Sequence, residues 1–228
     1  MVAAQVLGIP YLAMFPMPGP GVLVRPDSVI ASWDTSEVTR QAREEILAAY
    51  EVDILERGGL MEFYSAHGNL CTTVGPLFVP LASAMQKQRF DGFPWHCVGP
   101  LLPKEQKSRV AHPLAKADEL PVEALSLGIP LAVVPMFGDQ PINAEKVANI
   151  GAAVSFREPL KTLTPESLRR AVSQLLEEDS PFRSAAQGLQ RQMASAPGVK
   201  GAVDIILDVG KGARPSPRAC LSTGLGGA

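Results

Sequence analysis

The stretch Glu123–Val147, EALSLGIPLAVVPMFGDQPINAEKV, carries the strongest structural signal in the 228-residue chain. Its pattern predicts a short helix closed by Gly128, a buried strand over residues 131–134 and a second helix over residues 143–149. An uninterrupted apolar strand is typical of a parallel sheet that is covered on both faces. Ligands of such sheets bind just beyond the carboxyl ends of the strands, where the polar loop 136–141 follows.

The polar loop offers a carboxylate and an amide side by side, at Asp139 and Gln140. Together these groups can hold a polyhydroxylated ligand through paired hydrogen bonds. The structural alternative is that Asp139 caps the helix that begins at Pro141, because aspartate is a preferred capping residue. On the residues alone, capping is the favoured interpretation, and the two roles are compatible.

The charge balance argues against a nucleic-acid-binding protein. Lys plus Arg number 21 against 23 Asp plus Glu, which gives a net charge of -2, whereas nucleic-acid-binding surfaces are basic. No apolar run is long enough to span a bilayer, and the N-terminus lacks the basic start of a signal peptide. The three cysteines show no metal-binding spacing. We therefore expect reduced thiols, no metal site and a cytoplasmic protein.

The composition divides the chain into four segments. Residues 103–122 are polar, charged and punctuated by proline, which is typical of a linker. We therefore predict an N-terminal domain over residues 1–102 and a C-terminal domain over residues 123–210. The tail 211–228 shows no periodicity and is predicted to be disordered.

Local patterns predict the remaining elements. The first residues end a helix at Gly8, and apolar residues repeat at helical spacing over residues 35–57, with Thr35 or Ser36 as the cap. Thr164 caps a helix that is followed by two more, the last over residues 202–209. Further strands are predicted within residues 9–15, 69–79, 95–102 and 152–156.

The opening stretch also resembles the donor-sugar segment of family-1 nucleotide-sugar glycosyltransferases of the GT-B type, a group that includes sterol and macrolide glycosyltransferases and UDP-glycosyltransferases. The family pattern is Glu-Ala-Leu, Gly-x-Pro, an apolar strand, Pro, Asp-Gln and Asn-Ala. Its counterparts in this chain are Glu123, Ala124, Leu125, Gly128, Pro130, Pro135, Asp139, Gln140, Asn143 and Ala144. The resemblance extends over residues 1–15, 70–102 and 123–208.

The resemblance implies an α/β, GT-B-like fold with two Rossmann-like domains, both incomplete here, and C-terminal helices. It implies transfer of a hexosyl group, with inversion, from a nucleotide sugar such as a UDP-sugar to a hydroxyl of an apolar small molecule, for example a sterol, terpenoid or polyketide. Asp139 and Gln140 would bind the donor sugar, and Glu123 would lie near the nucleotide ribose. No cofactor is implied, because the nucleotide sugar is a substrate.

Two elements of the family pattern have no counterpart in the sequence. The family carries a His-Gly-Gly-x-Asn-Ser element whose amides and histidine hold the donor phosphates at a helix N-terminus. Its histidine position, eight residues before Glu123, is Ala115, and the nearby His112 is out of register. The first strand and its catalytic histidine are also missing. The chain is therefore predicted to be truncated and internally shortened, and the alternative function is that of a catalytically inactive remnant.

The catalytic residue stays unknown at this level. His67 lies in a loop-like context where it could serve as the general base, whereas His96 at the start of a strand is expected to be packed. A hydrolase or reductase fragment is disfavoured, because neither G-x-S-x-G nor G-x-G-x-x-G occurs. Since a shortened parallel sheet exposes strand edges, we expect self-association through these edges.

Overall fold

The computed structural model describes residues 2–16, 19–20, 35–54, 64–78, 80, 84–101, 120–136 and 139–213. The chain divides into two compact units, one formed by residues 1–98 and 199–228 and the other by residues 99–198. Each unit combines helices with a parallel sheet. In chain order the elements are α1 (Val2–Val6), β1 (Ala13–Phe15), α2 (Glu37–Tyr50), β2 (Asn69–Cys71), α3 (Ala84–Arg89), β3 (Trp95–Cys97), α4 (Leu120–Ser126), β4 (Leu131–Val133), α5 (Gln140–Asn149), β5 (Ala153–Ser155), α6 (Pro159–Thr162), α7 (Pro165–Leu176), α8 (Pro181–Ser195) and α9 (Gly198–Gly210).

The first unit is built on a three-stranded parallel sheet in the order β1-β2-β3. The strand predicted over residues 9–15 is shorter than expected. Gly8, with φ at +62°, terminates α1, and the backbone N–H of Ile9 donates a hydrogen bond to the carbonyl of Ala4 at 2.8 Å. Pro10 has no N–H to donate to a ladder, so regular pairing begins only at Ala13.

Aromatic side chains fill the core beside this sheet. Tyr64 is fully buried, and its ring centroid lies 5.4 Å from that of Phe15, 4.5 Å from Phe90 and 5.1 Å from Trp95. Cys71 is a buried free thiol in the same cluster. Cys97 is disulfide-bonded, so the expectation of reduced thiols throughout is wrong at this position.

The long surface helix α2 begins as predicted and ends earlier. Ser36 is its cap, and the Ser36 hydroxyl accepts a hydrogen bond from the N–H of Thr39 at 3.2 Å. The helix ends at Tyr50, because Glu51 adopts the left-handed conformation with φ at +58°. The last predicted helical residues, 55–57, lie outside the described part of the chain.

The second unit contains the two-stranded parallel sheet β4-β5 and helices that pack around it. Helix α4 ends at Ser126 and is followed by a turn at Gly128, whose φ of +73° lets the N–H of Ile129 reach the carbonyl of Ala124 at 2.9 Å. This turn reverses the chain directly into β4, and α4 packs against both β4 and α8. The helix and the strand predicted here are therefore confirmed, with shifted ends.

The expectation that β4 is covered on both faces is wrong. Ala132 is exposed, and Leu131 and Val133 are only half-buried. Within the described residues β4 pairs with β5 alone, while α7 packs against the strand. The apolar run thus marks a strand that this structure leaves partly open to solvent.

The first of the three long C-terminal helices begins at its predicted cap. Thr164 and Ser167 form a reciprocal capping box at the start of α7, with bonds of 3.1 and 2.8 Å. Helix α9 is longer than the predicted 202–209. Most of the predicted linker 103–122 and of the tail 211–228 lies outside the described residues. Among the described helices, none is long and apolar enough to cross a membrane.

Candidate functional site

The predicted site residues Asp139 and Gln140 lie at the end of the connection from β4 to α5. The strand ends at Val133, and α5 starts at Gln140 with Pro141 in its first turn. Proline suits this position because a first-turn N–H has no partner within the helix. Since α5 also packs against β5, both side chains lie at the carboxyl edge of the sheet, which is where open α/β sheets bind ligands.

The carboxylate of Asp139 is not used to cap α5. Asp139 occupies the capping position, yet its side chain makes no capping hydrogen bond. Its backbone is helical (φ -84°, ψ -11°), whereas a capping residue is normally extended, and Pro141 removes one of the amides that such a cap would bind. The capping interpretation favoured on the residues alone is therefore wrong.

The carboxylate is held instead from one turn further along the helix. The side-chain amide of Asn143 donates from Nδ2 to Oδ2 of Asp139 at 2.7 Å. The backbone N–H of Asn143 also donates to the carbonyl of Asp139 at 3.0 Å. Asp139 is half-buried, so its carboxylate is fixed without being sealed from solvent.

Gln140 ties the loop after β4 to the start of α5. Its side-chain oxygen Oε1 accepts a hydrogen bond from the backbone N–H of Met136 at 2.9 Å. This bond commits the acceptor half of the amide to the loop. The adjacent loop residues 137 and 138 lie outside the described part of the chain.

Glu123 stands on a different element from this pair. It lies in the first turn of α4 and is half-buried. Helix α4 contacts β4 and is joined to it by the tight turn at Gly128. The role of Glu123 near the nucleotide ribose stays a prediction.

The described histidines belong to the first unit. His67 precedes β2 at the amino end of its sheet, opposite the edge where such sheets bind ligands. His96 is the middle residue of β3 and is fully buried, which confirms its predicted packing role. His112 lies outside the described residues. The position of His67 therefore gives no support to its role as a general base.

Two contributions to the site escaped the sequence reasoning, namely the Asn143 amide and the Met136 N–H. The spacing of Asp139 and Asn143 contained a usable signal, because residues four apart on a helix face one another. The contact of Met136 lies outside regular secondary structure and has no comparable signal.

A cavity of about 280 Å³ lies at the other end of β4. The turn Leu127–Pro130 forms one wall, and Leu175, Leu176, Arg183 and Gln187 line the remainder. Because this turn precedes the strand, the cavity is at the amino end of β4 and does not belong to the site around Asp139.

Comparisons of the sequence and of the fold with known proteins both find glycosyltransferases. Residues 120–209 match the family model of the erythromycin biosynthesis protein CIII-like C-terminal domain. UDP-glycosyltransferase 71B5 of Arabidopsis thaliana is 34% identical over 73 residues, which are 28% of this chain and 15% of that protein. Anthocyanidin 3-O-glucosyltransferase of Zea mays is 39% identical over 83 residues, which are 35% of this chain and 17% of that protein.

Two solved structures share the fold. The glycotransferase of kitacinnamycin matches 90% of this chain and 72% of its own chain, with a TM-score of 0.63 and 18% identity. The calicheamicin glycosyltransferase CalG4 matches 92% of this chain and 70% of its own, with a TM-score of 0.58 and 18% identity.

These matches define the fold class as α/β of the GT-B glycosyltransferase type. More narrowly, the chain resembles family-1 glycosyltransferases, and the EryCIII-like segment comprises α4 to α9. The resemblance inferred from residues 123–147 is thereby confirmed. The matched segments are less than a fifth of the length of the two curated relatives.

Proposed function

We propose that the chain transfers a hexosyl group from a nucleotide sugar, specifically a UDP-sugar, to a hydroxyl of an apolar small molecule. The acceptor oxygen forms a bond to the anomeric carbon while the bond from that carbon to the diphosphate oxygen breaks, so the electron pair leaves with the nucleotide. The base that takes the acceptor proton is not assigned. No cofactor takes part in this reaction.

The observation that carries this proposal is the uncapped, Asn143-held carboxylate of Asp139 at the carboxyl edge of the sheet. Carboxylates form charge-assisted hydrogen bonds to hydroxyls, and a pair of vicinal hydroxyls suits the carboxylate of Asp139 beside the amide of Gln140. Glu123 would serve the nucleotide ribose. In this proposal residues 1–102 derive from the acceptor-side domain and residues 123–210 from the donor domain.

The acceptor class is a hydroxylated natural product such as a sterol, terpenoid or polyketide. The names of the similar proteins support this class, since they refer to an anthocyanidin, kitacinnamycin and calicheamicin. For the compartment we propose the cytosol. Because disulfides are rare in a reducing compartment, the redox state of Cys97 in cells tests this proposal, and a persistent disulfide would contradict it.

The test compares UDP with UDP-glucose by calorimetry. Asp139→Ala should weaken UDP-glucose by about tenfold or more and leave UDP unchanged, because only the sugar loses a charge-assisted bond. Glu145→Ala is the matched control, since it removes an exposed carboxylate from the same helix. Transfer of labelled glucose to a panel of hydroxylated acceptors then tests catalysis. Equal losses for UDP and UDP-glucose in Asp139→Ala would contradict the assigned role.

The second candidate function is that of an inactive remnant. The sequence favours it at one point, because Ala115 stands where the family has the phosphate-binding histidine. This alternative predicts that neither UDP nor UDP-glucose binds the wild-type chain at millimolar concentration. Binding of either ligand, weakened by Glu123→Ala, would count against an empty donor site, and transfer of labelled glucose to an acceptor would exclude the inactive remnant.

A further inference from the structure

The side chain of Asn143 touches the candidate site without being assigned any part in it. Its Nδ2 lies 2.7 Å from Oδ2 of Asp139, a short distance that is typical of a hydrogen bond to a charged acceptor. With the backbone bond of 3.0 Å, Asn143 holds both the main chain and the carboxylate of Asp139. Asp139 thus has a support that belongs to the rigid helix and not to the preceding loop.

The orientation of the Asn143 amide is set by this carboxylate. A carboxylate can only accept, so the reversed amide would place two acceptor oxygens in contact. In the observed orientation Oδ1 of Asn143 is buried and receives no hydrogen bond from the described residues. A buried oxygen without a donor is unfavourable, so Oδ1 does not account for the orientation of the amide. The bond from Nδ2 to Asp139 does.

We propose that Asn143 is a positioning residue for the donor sugar. By binding Oδ2 it fixes the plane of the Asp139 carboxylate, so that Oδ1 is the oxygen that accepts from a sugar hydroxyl. Within the part of the chain that the structure describes, the hydrogen bond to this carboxylate reaches Oδ2 and leaves Oδ1 to a ligand. This inference rests on the proposed function, and it concerns the residue that acts through Asp139 and not a residue that touches the sugar.

The experiment measures the ratio of the dissociation constants of UDP and UDP-glucose in the full chain. Asn143→Ala should lower this ratio about three- to tenfold, because a mobile carboxylate must be ordered when the sugar binds. Asn143→Asp, which has the same shape but repels Asp139, should lower it further. Asn149→Ala, at the exposed far end of the same helix, should leave it unchanged. In the Asp139→Ala background, Asn143→Ala should have no additional effect.

The outcomes separate this inference from the proposed function. If Asn143→Ala weakens UDP and UDP-glucose equally, or lowers the ratio by the same factor with Asp139 absent, the positioning role is wrong. If the wild-type chain shows no sugar-dependent binding, the proposed function fails. In that case NMR tests whether the hydrogen bond between Asn143 and Asp139 forms. If it does, the side-chain amide resonances of Asn143 should shift in Asp139→Ala. Unchanged resonances would overturn the inference.

Discussion

Gln140 is bound to its own loop, and this determines how it can meet a ligand. Because its Oε1 already accepts from the N–H of Met136, we expect a sugar hydroxyl to meet the Nε2 donor end of the amide. A substitution that keeps the acceptor and removes the donor therefore separates the two roles of the side chain, which are fixing the loop and binding the sugar.

We expect Gln140→Glu to weaken UDP-glucose a few-fold while the melting temperature stays near that of the wild type, because the carboxylate still accepts from Met136. Gln140→Leu should lower both the affinity for UDP-glucose and the melting temperature, since each lost hydrogen bond contributes about 0.5–1.5 kcal/mol. Calorimetry and thermal unfolding measure the two effects. Full sugar affinity in Gln140→Glu would restrict Gln140 to a structural role.

Cys71 gives the first unit a pH dependence of its own. Burial raises the pKa of the Cys71 thiol to about 12, whereas a thiol in the unfolded chain has a pKa of about 8.5. The native state therefore keeps a proton that the unfolded state releases, and stability present below a pH of about 8.5 is lost as the pH rises toward 12. Urea unfolding at about pH 7.5 and about pH 10 should show a smaller loss in Cys71→Ala than in the wild type. Equal losses, or rapid alkylation of native Cys71 at about pH 8, would contradict this.

At the scale of elements, the turn at Gly128 joins α4 to β4, the strand that leads to the candidate site. Gly128 adopts φ at +73°, and a Cβ there would lie 2.8 Å from Oε1 of Gln190 on α8. At Gly188, within α8 itself, an added Cβ would lie 3.9 Å from Nη2 of Arg191, which is an ordinary contact with the end of a flexible side chain. The backbone conformation at Gly128 favours glycine, whereas the surroundings of Gly188 accept a larger residue.

Gly128→Ala should lower the free energy of unfolding by about 1–2 kcal/mol, because an L-residue is strained in the left-handed region. The Gln190 contact adds little, since that side chain can move. Gly188→Ala should raise the free energy of unfolding by up to about 1 kcal/mol through its helix propensity. Urea unfolding of both variants measures these changes. A neutral Gly128→Ala would show that the turn relaxes.

Local signals predicted the element boundaries that local chemistry sets. Ser36, Thr164 and Gly128 act as the caps and stops that their residue types indicate. Errors arose where distant partners decide the outcome. Residues 9–12 have strand propensity but are not in the ladder, and the coverage of Ala132 depends on which elements pack there. The position of Asp139 at the sheet edge followed from the strand pattern and its donor-sugar role from the resemblance, whereas its hydrogen bond to Asn143 was signalled only by their spacing of four residues.

At the scale of the whole molecule, the edge of β4 is the feature that affects association. Leu131 donates to Ala152, and Val133 accepts from Phe156, so these two residues face β5. In a parallel ladder the intervening residue directs its N–H and C=O to the opposite edge, and in β4 that residue is the exposed Ala132. Within the described residues no strand pairs with this edge.

We propose that the chain self-associates through this edge, and Ala132→Lys tests the idea. A lysine on an edge strand opposes pairing with a second strand by charge repulsion and by the need to remain hydrated. Sedimentation velocity should show association of the wild type that rises with concentration and is weakened at least several-fold in Ala132→Lys, with little change in melting temperature because the position is exposed. Ser173→Lys adds the same charge at an exposed position on α7 and should associate like the wild type. If Ala132→Lys also associates like the wild type, the contact between copies lies elsewhere on the molecule.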